Sequence, residues 1–380
     1  MPKMTSRERL LRSLGHEEPD RIPLDLGGVS TGIETIPFDD LKKYLGKNWK
    51  TKNFMRDHVE PPEEMLRMFG IDTRYVRIKP PGNFNIQINP DNSYVDEWGT
   101  KWIKPEASLY WDPIGHPLKE AAIEDLESYP WPDPDDPGRY AGLKEEAKNL
   151  HENSKYAIVG DIPIFGAMDY ACLFLMGPER FYMDVILNQT FILRLIEILT
   201  DLQLRFYKNY LNAIGKYIDV IMVAEDLGGN SGPLISPDHY RKLLKPTAAK
   251  LWKFVKENTD AYLFLHCCGS VSKLIPDLIE IGVDALNPIQ VGAEGMAPKR
   301  LKSEFGDKLT FWGAIDTQKV MPFGSPEDVE NEVKTRINEL APGGGYVLTA
   351  VHNIQAGVKP ENVCKMYEAA RKYGTYPING

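Results

Sequence analysis

From about residue 140 onward, short apolar runs alternate with amphipathic stretches. The runs at 156–162, 220–224, 261–267, 283–288, 309–315 and 346–351 are rich in valine, isoleucine, leucine and aromatic residues. Their apolar character is continuous rather than alternating. Strands of that kind are covered on both faces, as in a parallel sheet with helices outside. The intervening spacing predicts helices at 142–152, 178–214 (one long or two), 237–257, 271–281, 297–304 and 325–340, with a closing helix at 360–373. Two further strands are expected, one at 21–26 and one at 73–79. About eight strands separated by helices predict an α/β fold, a TIM (β/α)8 barrel. A doubly wound open sheet is the alternative, and the strand count favours the barrel. With 380 residues, 42% of them apolar, the chain suits one barrel domain over 1–380 with insertions.

The first third departs from this rhythm. Thr5-Ser-Arg-Glu8 has the form of a capping box and opens an N-terminal helical segment through Leu14. Residues 38–70 are expected to be helical, with breaks near Gly46 and Pro61-Pro62. Residues 83–120 are expected to form an inserted antiparallel β-hairpin region. There Phe84, Ile86 and Ile88 alternate, Pro90 to Ser93 makes the turn, and Tyr94, Trp98 and Trp102 continue. This insertion is a candidate dimer contact or substrate lid, so a homodimer is admitted.

The net charge of −9 argues against a nucleic-acid partner, because phosphate binding needs clustered cations. Four cysteines, at 172, 267, 268 and 364, are too few for a disulfide scaffold and fit a reducing cytoplasm. The first residues lack the apolar core of a signal peptide, and no run is long and apolar enough to span a bilayer. A cytoplasmic protein without membrane contact is expected.

In a barrel of this type the carboxyl ends of the strands build the active site. The run Tyr262 to Leu265 ends in His266-Cys-Cys-Gly269. Alternate residues of a strand share a face, so His266 and Cys268 form the pair and Cys267 points the other way. Soft ligands at this place point to a metal at the barrel mouth; two small buried cysteines beside a core histidine are the bland alternative. The other strand ends carry Glu225-Asp226, Asn287, Gln290, Asp316, Gln318 and His352-Asn353. Glu225 and Asp226 equally suit solvated acids or helix caps, Asp316 a cap, and His352 a core histidine.

Leu265-His-Cys-Cys-Gly-Ser-Val271, Phe311-Trp-Gly-Ala-Ile-Asp-Thr-Gln318 and Gly344-Gly-Tyr-Val-Leu-Thr-Ala-Val-His-Asn-Ile-Gln355 resemble the uroporphyrinogen decarboxylase superfamily. Glu225-Asp-Leu-Gly-Gly, followed by Leu234 to Lys242, does so too. The likeness runs from about residue 155 to the end, and it implies a TIM barrel. The decarboxylases of that superfamily are metal-free and carry an arginine-rich N-terminal segment that grips propionates. Here Arg21-Ile-Pro-Leu-Asp-Leu-Gly-Gly-Val-Ser-Thr31 holds only Arg21, too few cations for a polycarboxylate.

The other branch contains zinc-dependent methyltransferases that work with corrinoid proteins. The resemblance implies a Zn2+ site built from His266 and Cys268, with His352 where coenzyme M enzymes usually carry a cysteine. Glu225 is then a fourth ligand or an outer carboxylate. Glu225, Asp226 and Asp316 are assigned as catalytic acids, and Asn287, Gln318 and Asn353 as cofactor contacts. The expected activity is transfer of a methyl group from a small methoxylated, aromatic compound to the Co(I) corrinoid of a partner protein. A methylcorrinoid:thiol methyltransferase, a metal-free decarboxylase and a non-catalytic corrinoid-binding scaffold are the alternatives.

Overall fold

The computed structural model describes residues 3–106, 108 and 110–378. Seven parallel strands lie side by side in chain order: β1 (Thr73–Val76), β2 (Ala157–Gly160), β3 (Val220–Ala224), β4 (Tyr262–His266), β5 (Ala285–Asn287), β6 (Thr310–Ile315) and β7 (Tyr346–Ala350). Nearly every residue in them is buried, because helices cover the outside and side chains fill the inside. Inside, Tyr75, Val159, Met222, Phe264, Trp312 and Val347 form one cluster, and the rings of Phe264 and Trp312 meet at 4.5 Å. Leu10 and Leu14 join that cluster from the helix Ser6–Leu14, which the expected Thr5/Glu8 capping box opens. The helix therefore plugs the barrel.

The position of the eighth stave is filled by the segment expected as a strand at 21–26, but not by a regular ladder. On one side Asp25 N donates to Leu348 O (3.0 Å) and Leu348 N to Pro23 O (3.0 Å). On the other, Asp72 N donates to Leu24 O (2.8 Å), while Leu24 N turns to the Asp72 carboxylate (2.9 Å). Pro23 has no N–H to give, and a side chain takes the next one, so only isolated bridges form. Asp72 is fully buried and also holds Arg9 (2.6 Å) and Arg21 (2.7 Å). This ion cluster stands where β1 begins, at the end of the barrel away from the mouth.

The helix expected over 178–214 is two helices, Pro178–Leu187 and Gln189–Ile214, because the Asn188 side chain caps the second. The stretch 38–70 holds more than helix. Between Thr35–Tyr44 and Glu63–Phe69 lie Asn53–Met55 and His58–Val59, which build a small antiparallel sheet with Ile33–Glu34. The insertion is a three-stranded antiparallel sheet of Ser93–Val95, Lys101–Ile103 and Asp112–Gly115. A turn precedes it, with Asn92 N donating to Asn89 O (2.9 Å), but the turn that pairs its first two strands comes later. Asp96 makes that one, accepting from the N–H groups of Trp98 and Thr100 and from Trp102 Nε1. Phe84, Ile86 and Ile88 lie outside any strand, and the two isoleucines are exposed. Their alternation has no partner strand to pack against.

Candidate metal centre

His266 is the last residue of β4, paired with Ala224 on one side and Asn287 on the other. Beyond it the chain is held by three groups in succession. Cys267 N donates to Asn287 O (2.6 Å), Cys268 N to Asp226 Oδ1 (2.8 Å) and Gly269 N to Gln290 Oε1 (2.9 Å). Gly269 has φ +82°, and a Cβ there would strike the carbonyl of Gly228. Only glycine allows the loops after β3 and β4 to close on each other in this way. Cys267 turns away and is buried, accepting Leu227 N–H.

The alternation thus puts His266 and Cys268 together: Nε2 and Sγ are 3.4 Å apart. His352, just after β7, completes the group, with ligand atoms of all three residues within 4.8 Å of one another. The imidazoles of His266 and His352 are 5.4 Å apart between centroids and steeply inclined.

Asn287 decides the tautomer of His266. Its Nδ2 donates to Trp312 O (3.1 Å), so its Oδ1 faces His266 Nδ1 (2.6 Å). The proton then sits on Nδ1, and the Nε2 lone pair faces Cys268 and His352. Burial, and after it the neighbouring His266 and His58, push His352 down to about 3, so it is a neutral donor. Burial and the Asp226 and Asp169 carboxylates push the Cys268 thiol up, so without a cation it keeps its proton. A divalent metal reverses that balance, since a coordinating thiol ionises.

The acids nearby are held by backbone N–H groups. Glu225 Oε1 accepts Met168 N–H (2.7 Å), and Asp169 accepts the N–H groups of Asp226 and Gly166 (3.0 Å each). Burial raises both Glu225 and Asp169, with Asp226 adding to it for Asp169 and Asp169 for Glu225. Among the described residues no lysine or arginine pairs with Asp169, Glu225 or Asp226. Two imidazoles, one thiol and a set of nearby acids suit a small divalent cation with nitrogen and sulfur preference, which is the chemistry of zinc.

Not every expected site residue stands in this group. Glu225 is turned to the 166–168 loop and is not one of the three clustered donors. Asp316 Oδ1 caps its own turn, accepting from Gln318 N (2.7 Å) and Lys319 N (3.1 Å), and Gln318 is exposed. Asn287 and Asn353, expected as cofactor contacts, have their amides occupied within the chain. Asn353 accepts from Gly32 N (2.6 Å) and donates to Val29 O (2.9 Å) and to His58 Nε2 (2.7 Å). It straps the buried Gly27–Thr31 loop beside the mouth. Asp161, paired with Arg77 at 2.9 Å, takes Val29 N–H from the other side. Asp169 and His58 were not legible as site neighbours. A lone acid in the apolar run Phe165 to Met176 was the one available signal for the first.

Known proteins resemble this chain over different lengths. The methylcobamide:CoM methyltransferase MtaA of Methanosarcina barkeri is 28% identical over 211 residues, 52% of this chain, and the match spans only 57% of that enzyme. The uroporphyrinogen decarboxylase of Alkalilimnicola ehrlichii is 23% identical over 379 residues, covering 96% of this chain and 93% of its own. A solved methyltransferase from Methanosarcina mazei shares the fold, with a TM-score of 0.62 and 20% identity over 98% of this chain and 99% of its own. The barrel, the mouth built from its strand ends and the match of residues 115–373 to the model named Uroporphyrinogen decarboxylase (URO-D) agree: the chain belongs to the URO-D family.

Proposed function

We propose that this chain is a zinc-dependent methyltransferase that moves a methyl group from a methoxylated aromatic compound to the Co(I) corrinoid of a partner protein. The observation that carries the reading is the donor set: one thiol and two imidazoles converge, and His266 and Cys268 each have an outer partner in place. Of the three donors only Cys268 brings charge, so a divalent ion held here keeps a net charge of about +1. A second thiolate in place of His352 would cancel it. A net positive centre is the stronger Lewis acid for a neutral ether oxygen, whereas it would make a bound thiolate a poorer nucleophile.

An alkoxide or phenoxide leaves poorly, and bound zinc supplies a Lewis acid for the ether oxygen, an effect of several kcal/mol. The chain's own residues prepare that site. Asn287 holds the His266 ring with Nε2 inward, and Asp226 holds the Cys268 backbone. Burial keeps His352 uncharged. Phe54, edge-on to His58 at 5.8 Å and stacked on Arg77 at 4.1 Å, offers an aromatic surface on this side of the barrel. Corrinoid as the acceptor is supported by the likeness to a methylcobamide enzyme.

That same likeness favours a second reading, methylation of a thiol from a methylcorrinoid. A decarboxylase has weaker support, because Arg21 is tied to Asp72 at the opposite end of the barrel.

The test is zinc content together with methyl transfer to free cob(I)alamin, followed by absorbance. The expected outcome is about one zinc per chain, lost in His266→Ala, Cys268→Ala and His352→Ala, and methylcobalamin formed from methoxyarenes. Zinc-loaded protein that methylates thiols from methylcobalamin and ignores every methoxyarene selects the second reading. A parent without zinc after metal-supplemented expression sinks both.

A further inference from the structure

We infer that Asp169 is a positioning residue for the metal ligand Cys268, acting through Asp226; the inference rests on the metal-centre reading. Asp169 is buried at 6% exposure, with no cation beside it. Its two oxygens are divided between two backbone donors, Gly166 N–H on its own loop and Asp226 N–H on the neighbouring one. Asp226 Oδ1 in turn accepts from Cys268 N–H at 2.8 Å. One carboxylate therefore fixes the backbone of a residue whose own carboxylate fixes the backbone of the thiol ligand. The thiol's place, 3.4 Å from His266 Nε2, is the end of that chain.

The two loops have no slack. A Cβ on Gly166 would meet Ala224 O at 2.7 Å and Glu225 Cα at 2.8 Å, so backbone lies directly on backbone. Asp169 begins the π-helical turn Asp169–Met176. Widened turns of this kind are frequent at functional sites. The turn is clamped from the insertion. Trp98 lies 3.9 Å from Tyr170 between ring centroids, Thr100 Oγ1 donates to Phe174 O (3.1 Å) and Leu118 N donates to Leu175 O (2.8 Å). The β-sheet insertion is thereby a brace for the metal centre, through the residue that starts the turn.

A carboxylate is the group the position requires. Two buried N–H donors converge, and only a side chain with two acceptor oxygens and no donor satisfies both. Asparagine in its place would turn an NH2 toward one of them, and alanine would leave both without a partner.

The experiment compares Asp169→Asn and Asp169→Ala with the parent and His266→Ala. Circular dichroism reads the fold, chelator competition reads the zinc dissociation constant, and cobalt(II) substitution reads the thiolate-to-metal charge-transfer band. The expected result is a parent-like fold with zinc binding weakened on the order of 10–100-fold in Asp169→Ala and less in Asp169→Asn. The cobalt band shifts or weakens in both, which a loss of packing alone would not produce. Variants with the parent's zinc affinity and cobalt spectrum overturn the inference, and so does loss of the fold in both, since the residue then serves stability. If the parent binds zinc and His266→Ala does not, those outcomes count against Asp169 alone. A parent that takes up no metal removes the metal-centre reading and this inference with it.

Discussion

Replacing Asn287 with leucine tests whether the outer partner of His266 sets the metal affinity. Leucine has the same branching and the same number of side-chain heavy atoms, though more bulk, and no polar atom. In the parent, Asn287 Oδ1 accepts from His266 Nδ1 at 2.6 Å and its Nδ2 donates to Trp312 O at 3.1 Å, with the whole side chain at 0% exposure. The substitution leaves a buried N–H and a buried carbonyl without partners, and each such group costs about 1–3 kcal/mol. The histidine also loses the bond that keeps its proton on Nδ1, so part of the population carries the proton on Nε2 and cannot bind. Losing an outer partner of this kind typically weakens metal binding about 10–100-fold, which at about 1.4 kcal/mol per decade is about 1.4–2.8 kcal/mol. That figure lies within the hydrogen-bond cost, as it should if one bond carries both effects. Asn287→Asp retains an acceptor for Nδ1 and is expected to bind metal more tightly than the leucine variant. Chelator competition on the folded proteins gives the dissociation constants. Parent affinity in Asn287→Leu, with binding abolished in His266→Ala, would refute the tautomer argument.

Three further outcomes follow from the same geometry. His58 is depressed to about 4, chiefly by burial and then by Arg56; its stabilising effect is present above the unfolded value near 6.5 and is lost as pH falls toward 4. The metal-free parent should therefore lose up to about 3 kcal/mol from this group across that window, and denaturant titrations of His58→Gln should show a flatter decline. Ala314, on β6, has φ +80°, where a side chain is strained by about 1–3 kcal/mol; against a glycine entropy cost of about 0.5–1 kcal/mol, Ala314→Gly should raise the unfolding free energy by about 1 kcal/mol, and a loss would show the conformation to be unstrained. Arg21→Met should lower the unfolding free energy by about 1–3 kcal/mol, since Arg9 still pairs with Asp72, while zinc affinity stays at the parent value; a large fall in zinc affinity would contradict a purely structural Arg21.

The barrel was legible because most of its strands are covered on both faces, so continuous apolar runs mark them and their number favours a barrel over an open sheet. The chemistry at their ends was legible for the same reason: a polar residue just past such a run must emerge at the mouth. His266, Cys268 and His352 were found in this way, from the ends of two strands far apart in the chain. What escaped depends on hydrogen bonds between segments. The eighth stave is interrupted by Pro23 and bridged by the Asp72 side chain, so its pattern as a strand is sound while its ladder is not. The small sheet at 33–59 uses strands of two and three residues, too short to show a period. Phe84, Ile86 and Ile88 show the period without the partner. Asn287 was visible as a polar strand end, but its partners, a histidine on the adjacent strand and a carbonyl on the next, exist only in the folded sheet.

Charge explains why these residues belong together. Glu225, Asp226 and Asp169 are brought to one side of Cys268 without a lysine or arginine among the described residues to balance them. In isolation such an arrangement opposes itself, and it raises Cys268 when a ligand thiol should be lowered. The conflict disappears if a divalent cation is the missing partner. The thiolate then forms, the carboxylates see a positive neighbour, and His352, kept neutral by burial, adds no repulsion. In the proposed reading, charge also accounts for a histidine at position 352. A second thiolate there would cancel the remaining positive charge and, in that reading, weaken the pull on an ether oxygen. His352→Cys is therefore the informative exchange: zinc should be retained, because cysteine is the stronger ligand, while methyl transfer from ethers should fall and a thiol acceptor should gain. Equal rates with both substrates before and after the exchange would show that the charge of the donor set does not select the methyl donor.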